Sequence, residues 1–140
     1  LMKFARRSPV LPLMGNGEAL QQPIHYDDLA DLATELIVEL DWRTIEISAA
    51  GPDIVSLSEL YEYVIEAVGS RSRLLHLPIH LVMPIVGAME RFGMKPPLTR
   101  AQLMRADIDK LPTWPMAEDW SAQVSLEEGL AWLAEDLEES

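Results

Sequence analysis

Three stretches of this sequence carry the pattern of a helix capping box: Ser56-Leu57-Ser58-Glu59, Thr99-Arg100-Ala101-Gln102 and Ser125-Leu126-Glu127-Glu128. In each, the first hydroxyl and the acid or amide three residues later reach the orphan amides of a helix start. Three helix beginnings are therefore fixed locally, before any tertiary contact is considered. Behind the first, Leu57, Leu60, Tyr61, Val64 and Val68 share one face until Gly69 ends the run. Leu103 and Met104 follow the second, and Leu130, Leu133 and Leu137 follow the third, whose terminal run Glu135 to Glu139 reads as a solvated helix end.

A fourth helix begins near Asp27, where Leu29, Leu32, Ala33, Leu36, Ile37 and Leu40 recur at helical spacing. Asp27 and Asp28 stand where they would cap it and oppose its dipole. A fifth follows Pro78 through Val82, Ile85, Val86 and Met89 to Phe92, with Pro84 expected to bend or break it. Between the helices, Pro9 to Gln22 reads as a short extended segment closed by a Gly15-Asn16-Gly17 turn. Arg43 to Ser48 alternates as a strand, and Arg73 to Leu77 is a second short strand. Pro112-Thr113-Trp114-Pro115 is an aromatic loop.

Four or five helices with two or three short strands define an α+β, mostly helical small domain. They cannot complete a doubly wound sheet, which alternates several parallel strands with helices. At 140 residues the chain is expected to enclose one core as a single domain, residues 1–140. No internal repeat is visible. The chain opens Leu1-Met2 on an apolar and basic stretch without a helix-start signal, as though entered partway through a longer protein.

A formal charge of −12 disfavours nucleic acid and anionic membrane surfaces as partners. The absence of cysteine rules out disulfides and thiolate chemistry and fits a cytoplasmic protein. No run of apolar residues reaches membrane-spanning length, and the opening residues lack the basic, then apolar, then small-residue order of a secretory signal.

Few residues suggest chemistry. Asp27, Asp28 and Asp31 beside His25 read as solvated or capping charges rather than a metal cluster. His76 and His80 are four apart, but Pro78 lies between them and no Glu follows His76, so they read as a strand-end and a helix-face histidine. None of Ser48, Ser56, Ser58 and Ser125 lies in a Gly-x-Ser-x-Gly turn. Met83, Met89, Met94, Met104 and Met116 with Trp114 and Trp120 could fill core or line an adaptable apolar pocket.

In order along the chain, several segments resemble the carboxy-terminal half of the NAD(P)-dependent epimerase/dehydratase group of extended or atypical short-chain dehydrogenases. They are Leu11-Pro12-Leu13-Met14-Gly15-Asn16-Gly17, Gln22-Pro23-Ile24-His25-Tyr26-Asp27-Asp28-Leu29-Ala30, and Ile45 to Pro52 followed by Ser56-Leu57-Ser58-Glu59-Leu60. Leu74-Leu75-His76-Leu77-Pro78 and Pro97-Leu98-Thr99-Arg100-Ala101-Gln102-Leu103 continue the likeness. Two hallmarks are missing. Gly15-Asn16-Gly17 runs into Glu18 with no third glycine, and no Tyr-x-x-x-Lys pair occurs, since Tyr26, Tyr61 and Tyr63 are followed four residues on by Ala30, Ile65 and Ala67.

The resemblance implies a substrate-binding portion without a catalytic, cofactor-binding or metal-binding residue of its own and without activity alone. Met14, Gln22 and His25 are then substrate-lining residues, although His25 can equally close a short strand while an aspartate caps the next helix. The parent would supply a Rossmann domain as partner, with NAD or NADP as cofactor and a sugar nucleotide as substrate. The strand Thr44 to Ser48, which in the group pairs with the Rossmann sheet, would expose an edge here and lead to a homodimer. A different reading is a non-catalytic helical interaction module using the apolar surface Leu74 to Phe92.

Overall fold

The computed structural model describes residues 1–39, 46–94, 99–116 and 119–139. Among them are six helices, α1 (Met2–Ala5), α2 (Tyr26–Glu39), α3 (Leu57–Ala67), α4 (Ile79–Arg91), α5 (Arg100–Met104) and α6 (Leu126–Glu139). Four short strands accompany them: β1 (Val10–Met14), β2 (Leu20–Gln21), β3 (Val55–Ser56) and β4 (Arg73–Leu77). This is the α+β, mostly helical architecture expected from the sequence.

The longest ladder pairs β1 with β4 in parallel, from Val10 opposite Arg73 to Met14 opposite Leu77. A parallel pair needs a long crossover, and the intervening chain includes α2 and α3. Leu11 and Leu13 point inward from β1 and are completely buried, while the alternate residues Val10 and Pro12 are exposed. The second sheet joins β2 to β3.

The chain divides into two compact units, each discontinuous in sequence. The first comprises Leu1–Leu20 and Ser56–Asp109. Ala5, Leu11, Leu13, Ala19, Val64, Val86 and Leu103 form its core. The Ser70 and Ser72 hydroxyls both donate to the Ala5 carbonyl, at 2.6 and 2.9 Å, so the end of α1 is held by side chains rather than by a sheet. The second unit comprises Gln21–Val55 and Lys110–Ser140 and buries Leu32, Ala50, Val55 and Leu130.

All three box signals form as written. Glu59 N–H donates to Ser56 Oγ and Ser56 N–H to Glu59 Oε2, with the same reciprocity at Thr99–Gln102 and Ser125–Glu128. Gly69 adopts φ 60° just past α3, as a helix stop requires.

Two expectations are corrected, and a third lies partly outside the described residues. Pro84 does not break α4, which runs unbroken from Ile79 to Arg91; the proline costs one backbone bond and lies on the exposed side. On α2 the inward face is His25, Asp28 and Leu32, whereas Leu29 and Ile37 of the expected apolar stripe are 47% and 81% exposed. Asp28 therefore is not a solvated charge. As for the strand at Arg43 to Ser48, Arg43 to Ile45 lie outside the described residues, as does Leu40 of the α2 pattern. Of the remainder, Ser48 makes an isolated parallel bridge to Met116, its N–H donating to the Pro115 carbonyl.

The box at α3 has an acid-side signature. Two hydrogen bonds from Ser56, the backbone one first, hold the Glu59 carboxyl below the ordinary glutamate value. A carboxyl lowered by folding contributes stability above its unfolded value, and that contribution is lost as pH falls through the folded value. Carboxyl-resolved NMR titration should therefore show Glu59 protonating after the ordinary glutamates, and Glu59→Gln should remove the acid-side fraying of the first turn of α3.

Candidate functional site

β1 and β4 end side by side, and this determines what gathers beyond them in the first unit. Gly15 N–H continues the ladder by donating to the Leu77 carbonyl at 3.0 Å. On one side the chain turns through Gly15 and Gly17, at φ 85° and 77°; on the other Pro78 caps α4. The space between holds an open groove of about 570 Å³ lined by Gly15, Asn16, Pro78, Ile79, His80, Met83, Met104 and Asp107. Met14, half-buried, precedes the lining directly.

The groove is mainly apolar, with Ile79, Met83 and Met104 as its large hydrophobic side chains. Asn16, His80 and Asp107 supply polarity, and among the described residues no lysine or arginine contributes. Asp107 Oδ1 accepts the Asn16 N–H at 3.3 Å. A β-carbon on Gly15 would lie 1.8 Å from that same oxygen, so glycine is required here both for its positive φ and for the carboxylate packed against it. Of the methionines and tryptophans named from sequence, Met83 and Met104 reach this groove.

Sequence reading did not single out Asp107. Nor did it foresee the pairing of Ser58 Oγ with His76 Nε2 at 3.2 Å across α3 and β4. That pair ties the two elements together, helped by Ser58 N–H donating to the Gly17 carbonyl.

Gln22 and His25 belong to the second unit. The Gln22 side-chain amide donates to the Gly51 carbonyl at 2.8 Å. Gly51 in turn has no room for a β-carbon, which would lie 1.9 Å from the Pro23 carbonyl oxygen. His25 is 9% exposed, with the Trp132 ring edge-on at 5.3 Å. Its Nδ1 accepts the Asp27 N–H at 3.3 Å, so the histidine ring takes the capping position that sequence reading gave to an aspartate. An imidazole accepting at Nδ1 carries its proton on Nε2 when neutral. That nitrogen is buried without a hydrogen-bond partner among the described residues.

Asp28 performs a different task. Only 5% exposed, its carboxylate accepts the Gln123 and Val124 amides, each at 3.0 Å, while Asp53 accepts the Leu126 amide at 2.7 Å. These two carboxylates fix the approach to α6, where orphan amides and the positive dipole end favour negative charge. No group of three or more ligating side chains able to hold a metal ion occurs among the described residues.

A pyrophosphate does not fit the Gly15–Gly17 turn. The turn enters β2 rather than a helix, and the Asp107 carboxylate fills the approach to Gly15, where a phosphate would meet like charge.

No family model matches the chain, and no curated protein sequence does either. Solved structures do. A GDP-6-OMe-4-keto-L-xylo-heptose reductase from C. jejuni aligns with 98% of this chain at TM-score 0.64 and 17% identity, the match spanning 36% of that protein. UDP-glucose 4-epimerase from Thermotoga maritima, solved with UDP-glucose, aligns with 99% at TM-score 0.65 and 16% identity, spanning 38% of its own length. GDP-mannoheptose C4 reductase from Campylobacter jejuni, with NADP bound, aligns with 97% at TM-score 0.57 and 17% identity, spanning 37%. The chain thus has the fold of a little over one third of these reductase and epimerase structures, and the epimerase/dehydratase resemblance seen in the sequence holds at the level of fold.

Asp28→Ala would leave two partly buried amides without an acceptor. It should lower unfolding free energy by about 2–4 kcal/mol, whereas Asp31→Ala on the exposed side of the same helix should change it by less than about 0.5 kcal/mol. Urea unfolding of the two variants checks the contrast.

Proposed function

We propose that this chain is the substrate-binding portion of a nucleoside-diphosphate-sugar epimerase/dehydratase-like protein, with the nucleotide-holding Rossmann domain and its NAD or NADP supplied by the rest of the parent. The observation that carries the reading is the fold likeness: nearly all of this chain, and just over one third of each enzyme. The residues agree with it. A turn that rejects pyrophosphate and a groove whose titratable linings, among the described residues, are His80 and Asp107 suit binding.

In this reading the first unit's groove takes an uncharged part of the substrate. Ile79, Met83 and Met104 pack against its apolar surface, and Asp107 accepts a hydrogen bond from it, since placing a phosphate beside that carboxylate would cost electrostatic energy. Met14 forms the adjoining wall. Gln22 and His25 are the second unit's candidate lining residues for the substrate cleft of the parent. The residues of this chain hold and orient substrate; they do not transfer hydride or protons.

Cofactor titration of the chain alone should give no saturable fluorescence change with NADPH, and micromolar binding there would overturn the proposal. In the intact parent, Met104→Glu should raise the substrate KM about tenfold, corresponding to ~1.4 kcal/mol of lost binding, with cofactor affinity unchanged. Gln22→Ala combined with His25→Ala should weaken substrate affinity there too, and unaltered kinetics would remove those two residues from the cleft.

A further inference from the structure

The first unit's groove keeps its polar and apolar chemistry on different elements. At the glycine turn stand Asn16 and Asp107, joined by the Asn16 N–H donating to Asp107 Oδ1 at 3.3 Å. Along α4, Ile79 and Met83 lie one turn apart on one helix face, and Met104 of α5 completes the apolar lining. Much of the polar capacity is already committed. The Asn16 side-chain amide donates to Glu18 Oε2 at 2.6 Å, and its carbonyl oxygen accepts the Glu18 N–H at 3.0 Å. What remains is Asp107 Oδ2 and the His80 ring, which have no hydrogen-bond partner among the described residues.

That inventory limits what an occupant can present. A sugar hydroxyl that loses its water needs a replacement partner, and an unpaired one is penalised. Ile79 has no polar side-chain atom, and Met83 and Met104 offer only weakly accepting thioethers. The side of an occupant that meets these three residues is therefore made of C–H groups, and flexible thioether chains mould well to methyl groups. Backbone laid along the same wall would meet the same shortage, since each residue brings an N–H and a C=O that need partners. The Asp107 carboxylate acts in the opposite sense: it accepts, so it selects a donating hydroxyl and repels phosphate.

Resting on the reading of this groove as the seat of the substrate's uncharged part, we infer that it selects a glycosyl group deoxygenated or O-methylated on one side. The C–CH3 or O–CH3 group packs among Ile79, Met83 and Met104, and one ring hydroxyl donates to Asp107 Oδ2. Selectivity arises by exclusion. A fully hydroxylated sugar makes the Asp107 bond equally well, but it also brings to the α4 wall a hydroxyl that nothing there can pair. Because the groove is open, part of that hydroxyl keeps its water, and the discrimination is about tenfold, the low end of what an apolar pocket achieves for one group.

The test is an NMR titration of the full chain, isotope-labelled at the methionine methyl groups, with matched methyl glycosides: D-glucose and D-quinovose, D-galactose and D-fucose, D-mannose and D-rhamnose. Each pair differs by a single hydroxyl. The Met83 and Met104 methyl resonances should shift with at least one deoxy sugar, at a Kd about tenfold below that of its hydroxylated counterpart. Met104 is 68% exposed, so Met104→Gln should keep the fold while placing a hydrogen-bonding amide on the wall. Read at Met83, that variant should cut the preference to about twofold or less. Equal Kd values within every pair, or a preference unmoved by Met104→Gln, would overturn the inference and leave the groove as the substrate's seat. If neither methyl shifted with any sugar throughout its soluble range, the inference and the groove's place in the proposed function would fall together.

Discussion

The parallel pairing of β1 with β4 is the constraint on which the first unit depends. Five residues of each strand align over a long crossover, and the register brings the end of Met14 level with Leu77. Whatever follows the two strands must then diverge from one point. One chain turns away through two positive-φ glycines, and the other starts α4 from a proline whose missing N–H costs nothing at a helix beginning. The groove is the space those departures leave, and its position follows from strand register rather than from any residue of the lining. A one-residue slip would turn Leu11 and Leu13 out of the core, so the groove cannot shift without unfolding the unit.

Sequence and structure agree where the determining contacts are local. The three boxes and the Gly69 stop each depend on partners within a few residues, and each forms as read. Disagreement is concentrated at Asp28. Periodicity puts the apolar residues of α2 inward, but the loop before α6 presents two amides, at Gln123 and Val124, that demand an acceptor. Burying that acceptor rotates the helix so that Asp28 and His25 face in with Leu32, and Leu29 and Ile37 turn outward. A demand from almost one hundred residues away leaves no trace in the local pattern.

The candidate groove was partly legible for the same reason. Its glycine turn, its proline and the histidine that follows are punctuation marks, visible in any reading of the chain. Asp107 was not, because nothing around Ala106 and Ile108 distinguishes it from any other exposed acid. What gives it a role is the β-carbon that Gly15 lacks: the carboxylate occupies that space and takes the next amide. A glycine and an aspartate far apart in sequence thus define one feature together, and only coordinates reveal it.

The placement of acid and oil also bears on why a chain that is 49% hydrophobic leaves so many large apolar side chains uncovered. Each unit spends scarce interior on polar groups that organise backbone: Asp28 and His25 in one, Ser72 in the other. Large apolar side chains stand on the outer faces of α2 and α4, where Ile37, Val38, Ile85 and Phe92 are among the most exposed. Such faces are poor terminal surfaces for an isolated protein, because contiguous apolar area in water is costly. They are sound interior surfaces for a protein in which another apolar face covers them. The acidity of the rest then has a plain physical role, since strong like charge elsewhere restricts close approach to the places where charge is absent.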